Sequence, residues 1–135
     1  MSRNKPVFLI ATALFCVAIL PSAVMNIVQP DFVVDAMTLI QMPMAAIALV
    51  GVWKLLGVVA LIQPWFPRIT EWAYAGFFFD LTGAAFLHLA ASDTTVSVVS
   101  PLVFLIPLAV SYGMRSRADE ATGTSSSRQP VATPA

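Results

Sequence analysis

The sequence is poor in charged residues: Asp, Glu, Lys and Arg make up 10% of the chain, whereas a soluble domain has about 25%. Hydrophobic residues reach 59% of the 135 residues. A soluble fold of this size could not bury so many, because small domains are mostly surface. The formal net charge is zero, which excludes the basic surface typical of nucleic-acid binding. We therefore expect the chain to lie in a lipid bilayer.

Cysteine and histidine are almost absent. Cys16 is the single cysteine, which excludes an internal disulfide, a CxxC redox pair and a cysteine-rich metal site. His88 is the single histidine, so no second ligand stands at metal-site spacing and we expect no metal. The sequence also lacks a Gly-rich phosphate loop, a nucleophile elbow and a zinc signature. These absences favour an accessory protein over an autonomous enzyme.

Four long apolar runs are present instead, at about residues 7–28, 44–62, 71–91 and 96–114. Each is close to the ~20 residues that a helix needs to cross ~30 Å of hydrocarbon. No alternation of period two indicates a barrel. We predict an all-α fold, a four-transmembrane-helix bundle in residues 1–114, whose fourth helix is kinked by Pro101 and Pro107. Residues 115–135 are polar and are predicted to form a disordered tail.

The basic residues predict how this bundle is oriented. The N-terminus, the second connection and the tail all carry Arg or Lys. The first and third connections carry neither, and their only charges are Asp31, Asp35 and Asp93. The positive-inside rule therefore places both termini and the second connection in the cytoplasm.

The first connection, residues 29–41, has a helical periodicity of its own. Asp31, Asp35 and Thr38 fall on one stripe, and a second stripe is apolar: Phe32, Val33, Ala36, Met37 and Ile40. This spacing fits a short amphipathic helix that lies in the outer interface. An ordinary loop accounts for the pattern equally well, so both interpretations stay open.

Two ionisable residues lie deep inside apolar runs. Lys54 precedes Gln63 by nine residues, and Asp80 follows Glu71 by nine. At ~1.5 Å per residue, both lie roughly 13 Å from the cytoplasmic boundary. Small residues, which let helices approach closely, accompany both charges: Gly51 and Gly57 beside Lys54, and Ala73, Gly76, Gly83 and Ala84 on the stripe of Asp80. We therefore predict that Lys54 and Asp80 form an ion pair.

This ion pair has two interpretations. In the structural one it fixes the register of the hairpin, although a single polar contact in a membrane contributes only about 1 kcal/mol. In the functional one it lines a polar pocket and tunes proton affinity near a ligand, because intramembrane charges often mark sites. The sequence alone leaves both interpretations open.

Two further polar residues lie nearer the helix ends. His88 is offset from Asp80 by about 80° on a helical wheel. A histidine at a helix C-terminus is most often stabilised by the helix dipole, and the alternative is a proton relay or a quinone contact. Thr70 is predicted to cap the third helix. Glu71 is interpreted as a charge near the helix start that pairs with Arg68. The alternative is that Glu71 takes part in the chemistry of the functional site.

The most distinctive residues of the sequence lie in the second and third runs: Trp53–Gly57, Ala60, Leu61, Pro64, Pro67, Glu71–Phe77, Asp80–Ala84 and His88. This pattern resembles the DoxX-like family. The resemblance covers the four-helix region and implies a small multi-pass protein of the bacterial inner membrane. It singles out four candidate residues of a polar pocket, without a catalytic role for any of them: Lys54, Glu71, Asp80 and His88.

The resemblance also implies a link to redox chemistry. The wider DoxX group includes the small subunit of a thiosulfate:quinone oxidoreductase and membrane partners in oxidative-stress and thiol-redox complexes. We therefore expect an accessory or interaction subunit that docks with a membrane redox protein and binds a quinone near Lys54, Asp80 and His88. No other cofactor is evident, and Cys16 alone argues against thiol shuttling. The alternatives are a small proton or solute transporter, which could act as an oligomer, and a purely structural membrane protein.

Overall fold

The computed structural model describes residues 5–126. Within this range the regular secondary structure is helical, and there is no strand. The helices are α1 (Lys5–Val28), α2 (Asp31–Leu39), α3 (Met44–Ile62), α4 (Pro67–Ala90), α5 (Thr95–Val103) and α6 (Leu105–Ser126). Four stretches are long and apolar enough to cross a membrane: Lys5–Val28, Met44–Ile62, Pro67–Ala90 and Thr95–Arg115. The predicted all-α fold with four membrane-spanning helices is confirmed. The orientation of the termini stays a prediction.

The fourth span is interrupted only at Phe104, whose φ of −69° and ψ of −16° are still helical, so the two helices form one nearly continuous span. α5 ends at Val103 and α6 begins at Leu105. Pro107 has no N–H to donate to the carbonyl of Val103, and its ring clashes with that carbonyl, so the helix is interrupted beside it. Pro107 then lies in the first turn of α6, where a missing N–H costs nothing.

α6 continues beyond the predicted end of the fourth helix at Met114 and reaches Ser126. Residues 115–126, which the sequence assigns to a disordered tail, are therefore helical in the structure. The membrane span has already nucleated this helix, so each further residue extends it at little cost. The remaining residues of the predicted tail, 127–135, lie outside the described range.

The core lies around one aromatic pair. α1 packs against α3 and α6, and α4 packs against α3 and α5. Phe15 is fully buried, and its ring meets that of Phe77 edge to face with centroids 4.9 Å apart. This geometry is favourable beyond simple burial. The surrounding buried residues are Cys16, Ile19, Val58, Leu61, Tyr74, Leu81 and Leu108.

The two ends of the bundle differ in charge. Lys5, Arg68 and Arg115 lie at the end formed by the start of α1, the α3–α4 turn and α6, and we call it the basic end. The opposite end is formed by the α1–α3 and α4–α5 connections and carries acidic residues, so we call it the acidic end. Its charged residues are Asp31, Asp35 and Asp93.

α2 is the amphipathic helix that the first connection predicts, so the loop interpretation is wrong. Its polar residues Asp31, Asp35 and Thr38 are exposed, and Val33 is buried. Phe32 departs from the predicted apolar stripe because 64% of its surface is exposed. The residues that flank α2 turn the chain sharply, since Gln29 and Gln41 both have positive φ values of 54° and 57°.

The turn between α3 and α4 is tied by side chains. Gln63 donates from Nε2 to the carbonyl of Phe66 at 2.9 Å and accepts from its N–H at 2.7 Å. Thr70 donates to the carbonyl of Ala60 at 2.9 Å. The predicted cap at Thr70 is wrong, because α4 begins at Pro67. The hydroxyl instead joins the two helices and fixes their register.

Candidate functional site

Lys54 of α3 and Asp80 of α4 form an ion pair within the membrane-spanning helices. The distance from Lys54 Nζ to Asp80 Oδ2 is 3.3 Å, and the two side chains are 11% and 22% exposed. The predicted pairing is confirmed, because both residues lie equally far from the tied turn. α1 adds a third partner that the sequence did not indicate: Lys54 Nζ donates to Ser22 Oγ at 3.1 Å.

The glycines around this pair differ in their role. A Cβ at Gly51 would lie 2.8 Å from the carbonyl oxygen of Ala23, and one at Gly57 would lie 2.7 Å from the ring of Phe77. These two positions let α1 and α4 pack directly on α3. At Gly76 and Gly83 of α4, a Cβ would meet no atom within 4 Å. The prediction of close helix contact along the α4 stripe is therefore wrong at these two glycines, which leave open space.

The first open space is a groove between α3 and α4, which we call the lipid groove. Its volume is about 630 Å³, and Gly57, Ala60, Ala73 and Gly76 are among its lining residues. Its aromatic walls include Trp53, Trp72 and Phe79, which are 62%, 78% and 69% exposed on the outer surface of the bundle. Its charged lining residues are Lys54 and Asp80. The groove is thus apolar and aromatic, and the Lys54 ammonium and the Asp80 carboxylate lie side by side on its wall.

The second open space, of about 500 Å³, lies on the other side of the ion pair, and we call it the interior cavity. Residues from α1 to α5 line it, and many are polar: Ser22, Asn26, Lys54, Asp80, His88, Ser97 and Ser100. Four residues line both spaces: Val50, Lys54, Phe79 and Asp80. The ion pair therefore lies in the partition between the groove of α3 and α4 and a second open space that residues of five helices line.

His88 lines the interior cavity and binds an acidic partner near the acidic end. Its Nδ1 lies 2.7 Å from Oδ2 of Asp93, and Oδ1 of Asp93 accepts the N–H of Thr94 at 2.6 Å. The hydrogen bond from Thr94, followed by that from His88, holds the pKa of the Asp93 carboxyl below its ordinary value. Ser92 has a positive φ of 54°, which turns the chain back toward α4. The sequence does not indicate this partner of His88, because the contact depends on the positive φ at Ser92.

Glu71 is not brought to the other three candidate residues. Its Oε1 lies 3.3 Å from Nη1 of Arg115 on α6, so the predicted pairing with Arg68 is replaced by a contact between helices. Glu71 also lines a separate groove of about 380 Å³ at the basic end, together with Tyr74 and Tyr112. Of the four residues that the sequence singled out, Lys54, Asp80 and His88 share one cavity.

A buried chain of hydroxyls is a polar feature that sequence reasoning missed. Thr12 donates to the carbonyl of Phe8 at 2.8 Å, Ser111 lies 2.6 Å from Thr12, and Tyr74 lies 2.7 Å from Ser111. A single direction of donation, from Tyr74 to Ser111 to Thr12 to Phe8, satisfies every hydroxyl. No local spacing could have joined residues 12 and 111, because the pairing of α1 with α6 depends on the whole fold.

The DoxX-like family model matches residues 10–111. The chain belongs to the DoxX-like family. The match covers the residues of both the lipid groove and the interior cavity. No curated protein and no solved structure matches the chain.

The site of this DoxX-like protein has a definite chemical capacity. An ammonium carries three N–H donors. Lys54 donates one of them to Ser22 and forms an ion pair with Asp80 at 3.3 Å, which leaves donor capacity for a ligand. The Asp80 carboxylate keeps acceptor capacity beside it. Within residues 5–126, no group of three or more His, Cys, Asp or Glu is placed to hold a metal ion.

Proposed function

We propose that this DoxX-like protein binds a lipid-soluble molecule of the quinone class at Lys54 and Asp80, as an accessory subunit of a membrane redox enzyme. One observation carries the proposal: the ion pair lies on the wall of the lipid groove. A ligand dissolved in the bilayer can therefore reach a hydrogen-bonding pair without crossing the protein.

The shape and chemistry of the groove fit a flat ring with a polar edge. Its volume of about 630 Å³ lies in the range of small-molecule sites, which are mostly apolar with a few placed polar groups. The side chains of Trp53, Trp72 and Phe79 offer aromatic faces and edges for stacking. A remaining N–H of Lys54 can donate to a quinone carbonyl, and Asp80 can accept from the hydroxyl of the reduced form.

The exposure of the groove supports the accessory role. A ligand held there keeps one face toward the lipid, because the walls at Trp53 and Trp72 are more exposed than buried. A redox partner that packs against α3 and α4 would then reach the ligand directly. The family resemblance supports the same role, since it implies membrane partners in redox and stress complexes.

Binding of a short-chain quinone to the protein in lipid nanodiscs tests the proposal through quenching of tryptophan fluorescence. Gly76→Leu fills the lipid groove, and Gly83→Leu is its matched control because it fills the interior cavity. We expect Gly76→Leu to weaken binding about tenfold or more, which corresponds to about 1.4 kcal/mol. Gly83→Leu should change the affinity less than about twofold.

The charged residues give the second arm of the same experiment. Lys54→Met should weaken quinone binding, because it removes the donor to the carbonyl, whereas the conservative Lys54→Arg should retain part of the affinity. Equal affinities for wild type, Gly76→Leu and Lys54→Met would contradict the proposal, as would quenching that follows only the quinone content of the lipid.

A small proton or solute transporter is the second candidate function. The observation that favours it is the set of ionisable residues Lys54, Asp80 and His88 that line the interior cavity, because ionisable residues within membrane spans often mark ion and proton pathways. Flux into proteoliposomes tests this candidate. Transport that is unchanged in Asp80→Asn would count against it.

A further inference from the structure

The interior cavity has seven polar or ionisable residues in an otherwise largely apolar lining, and these groups can bind water. Hydroxyls and an amide come from two helices, Ser22 and Asn26 from α1 and Ser97 and Ser100 from α5. They face the charged groups of Lys54, Asp80 and His88 across a volume of about 500 Å³. A buried water needs two to four polar partners, and this lining supplies them along its length.

The α5 wall adds a backbone acceptor. Pro101 lies inside α5 and has no N–H to donate to the carbonyl of Ser97, its usual acceptor four residues earlier. Ser97, Ser100 and Pro101 all line the interior cavity. Lipid cannot satisfy a freed carbonyl, so water in the cavity is the natural donor to it.

The polar lining continues toward the acidic end. Three lining residues lie near this end: Asn26 in the last two turns of α1, His88 in the last turn of α4, and Ser97 in the first turn of α5. The His88 ring lies between the cavity and Asp93, which belongs to the α4–α5 connection. On the opposite side, the core packs closely around Phe15 and Phe77. Water therefore has a polar route to the ion pair from the acidic end and a packed apolar barrier at the basic end.

We propose that the interior cavity is a water-filled chamber that opens at the acidic end, so that Lys54 and Asp80 exchange protons with that side of the membrane. Protons would move along O–H and N–H bonds of water, His88 and Asp80, and no other bond changes. This inference goes beyond the proposed function, because water reaches the ion pair whether or not a quinone is bound.

Among residues 5–126, four titratable groups face this route. They are Lys54 of α3, Asp80 and His88 of α4, and Asp93 of the α4–α5 connection. α1, α2 and α5 contribute hydroxyl, amide and apolar side chains to the lining. The route thus runs from one imidazole–carboxylate pair to one ammonium–carboxylate pair.

Labelling with a charged, membrane-impermeant thiol reagent tests the chamber in sealed vesicles without quinone. In a Cys16→Ala background, Ser22→Cys places a thiol beside Lys54. Val24→Cys is the matched control, because this neighbour on α1 is 47% exposed on the surface of the bundle. Asp35→Cys and Arg117→Cys report which end of the bundle faces the reagent.

We expect Ser22→Cys to react about tenfold or more faster than Val24→Cys, a difference of about 1.4 kcal/mol in barrier. Reaction should occur from the side on which Asp35→Cys reacts. Adding Gly83→Leu, which fills the interior cavity, should slow labelling, whereas Gly76→Leu should leave it unchanged. Equal rates at positions 22 and 24, or labelling from the side of Arg117→Cys, would overturn the proposal.

A second pair of positions keeps the test decisive if Ser22→Cys fails to fold. Ser100→Cys lines the interior cavity, and Leu102→Cys on the same helix is 40% exposed and does not line it. The same difference in rate is expected, and its absence would overturn the proposal. The glycine variants separate this result from quinone binding: labelling should depend on Gly83 and quinone affinity on Gly76.

Discussion

Two polar regions of the bundle hold their side chains in opposite ways. In the hydroxyl region, Tyr74, Ser111 and Thr12 form a closed chain of hydrogen bonds beside the core around Phe15, which has no exposed surface. In the ion-pair region, Lys54 and Asp80 lie between two open spaces. Both regions place polar side chains in membrane spans, but Ser111 is 1% exposed, whereas the side chains of Lys54 and Asp80 are 11% and 22% exposed.

This difference indicates that the two regions contribute differently to stability and to binding. A polar network that is fully satisfied and tightly packed rigidifies its surroundings, so the hydroxyl region and the core beside it should supply most of the stability. A charged pair beside empty space gives less stability but remains available to water and ligands. Substitutions that lower stability and substitutions that lower binding should therefore fall in different regions.

The largest expected effect is a loss of unfolding free energy in the core beside the hydroxyl region. Phe15→Ala should lower the free energy of unfolding by about 3–5 kcal/mol, because it leaves a cavity at a fully packed site. Phe79→Ala is the matched control, since that ring lines both open spaces and is 69% exposed. It should change stability by less than about 1 kcal/mol. Unfolding of both variants in the same detergent measures the difference. Equal losses of unfolding free energy would contradict the assignment of stability to the packed core.

A smaller loss is expected from the hydroxyl chain. Ser111→Ala leaves Thr12 and Tyr74 without their shared partner, which should cost about 1–3 kcal/mol of unfolding free energy. Ser100→Ala removes a hydroxyl from the interior cavity instead, where water replaces it, and should cost less than about 0.5 kcal/mol. Thermal unfolding of the two serine variants provides the comparison. A larger loss of unfolding free energy for Ser100→Ala would show that the wall of the interior cavity also contributes to stability.

The same change, glycine to alanine, at a packed position and at an open one tests the same comparison. Gly51→Ala places a methyl group 2.8 Å from a backbone oxygen of α1 and should cost about 1–3 kcal/mol through strain. Gly83→Ala meets no atom within 4 Å and should be neutral or slightly stabilising, because alanine favours helix by up to about 1 kcal/mol. Denaturation curves that rank the two variants in the reverse order would be incompatible with this packing.

The smallest effect concerns the pH dependence at the acidic end. The pKa of Asp93 is lowered in the folded protein by its hydrogen bonds to Thr94 and His88. The carboxylate therefore stabilises the fold above its ordinary pKa of about 3.9, and this contribution is lost as the pH falls through the lowered value. Asp93→Asn should reduce the unfolding temperature at neutral pH, and the difference from wild type should shrink at strongly acidic pH. A difference that stays constant with pH would mean that the carboxylate charge has no part in it.

Much of the fold and part of the site follow from the sequence. Run lengths give the four spans, and the equal spacing of Lys54 and Asp80 from the α3–α4 turn gives their contact at 3.3 Å. The periodicity of the first connection is compatible with α2 but does not by itself distinguish a helix from a loop. The predictions of the spans and of the ion pair succeed because they depend on local helix geometry, which the spacing of residues along the chain determines.

The rest depends on which helices become neighbours. Ser22 meets Lys54, and Arg115 meets Glu71, only through contacts of α1 with α3 and of α4 with α6. The glycines of α3 and α4 look alike in sequence, yet a Cβ would be blocked at Gly57 and unobstructed at Gly76. Whether a small residue admits a helix or leaves a void is decided by the side chain opposite, here Phe77, which the sequence does not reveal.

Photolabelling of the protein in lipid nanodiscs with a photoreactive quinone, followed by peptide mapping, tests the central claim most directly. The account predicts that the label concentrates on α3 and α4 around Trp53 and Trp72, and that Lys54→Met or Gly76→Leu removes it while Gly83→Leu does not. Label spread evenly over all lipid-facing helices, and unchanged in Lys54→Met, would contradict a quinone site at the ion pair.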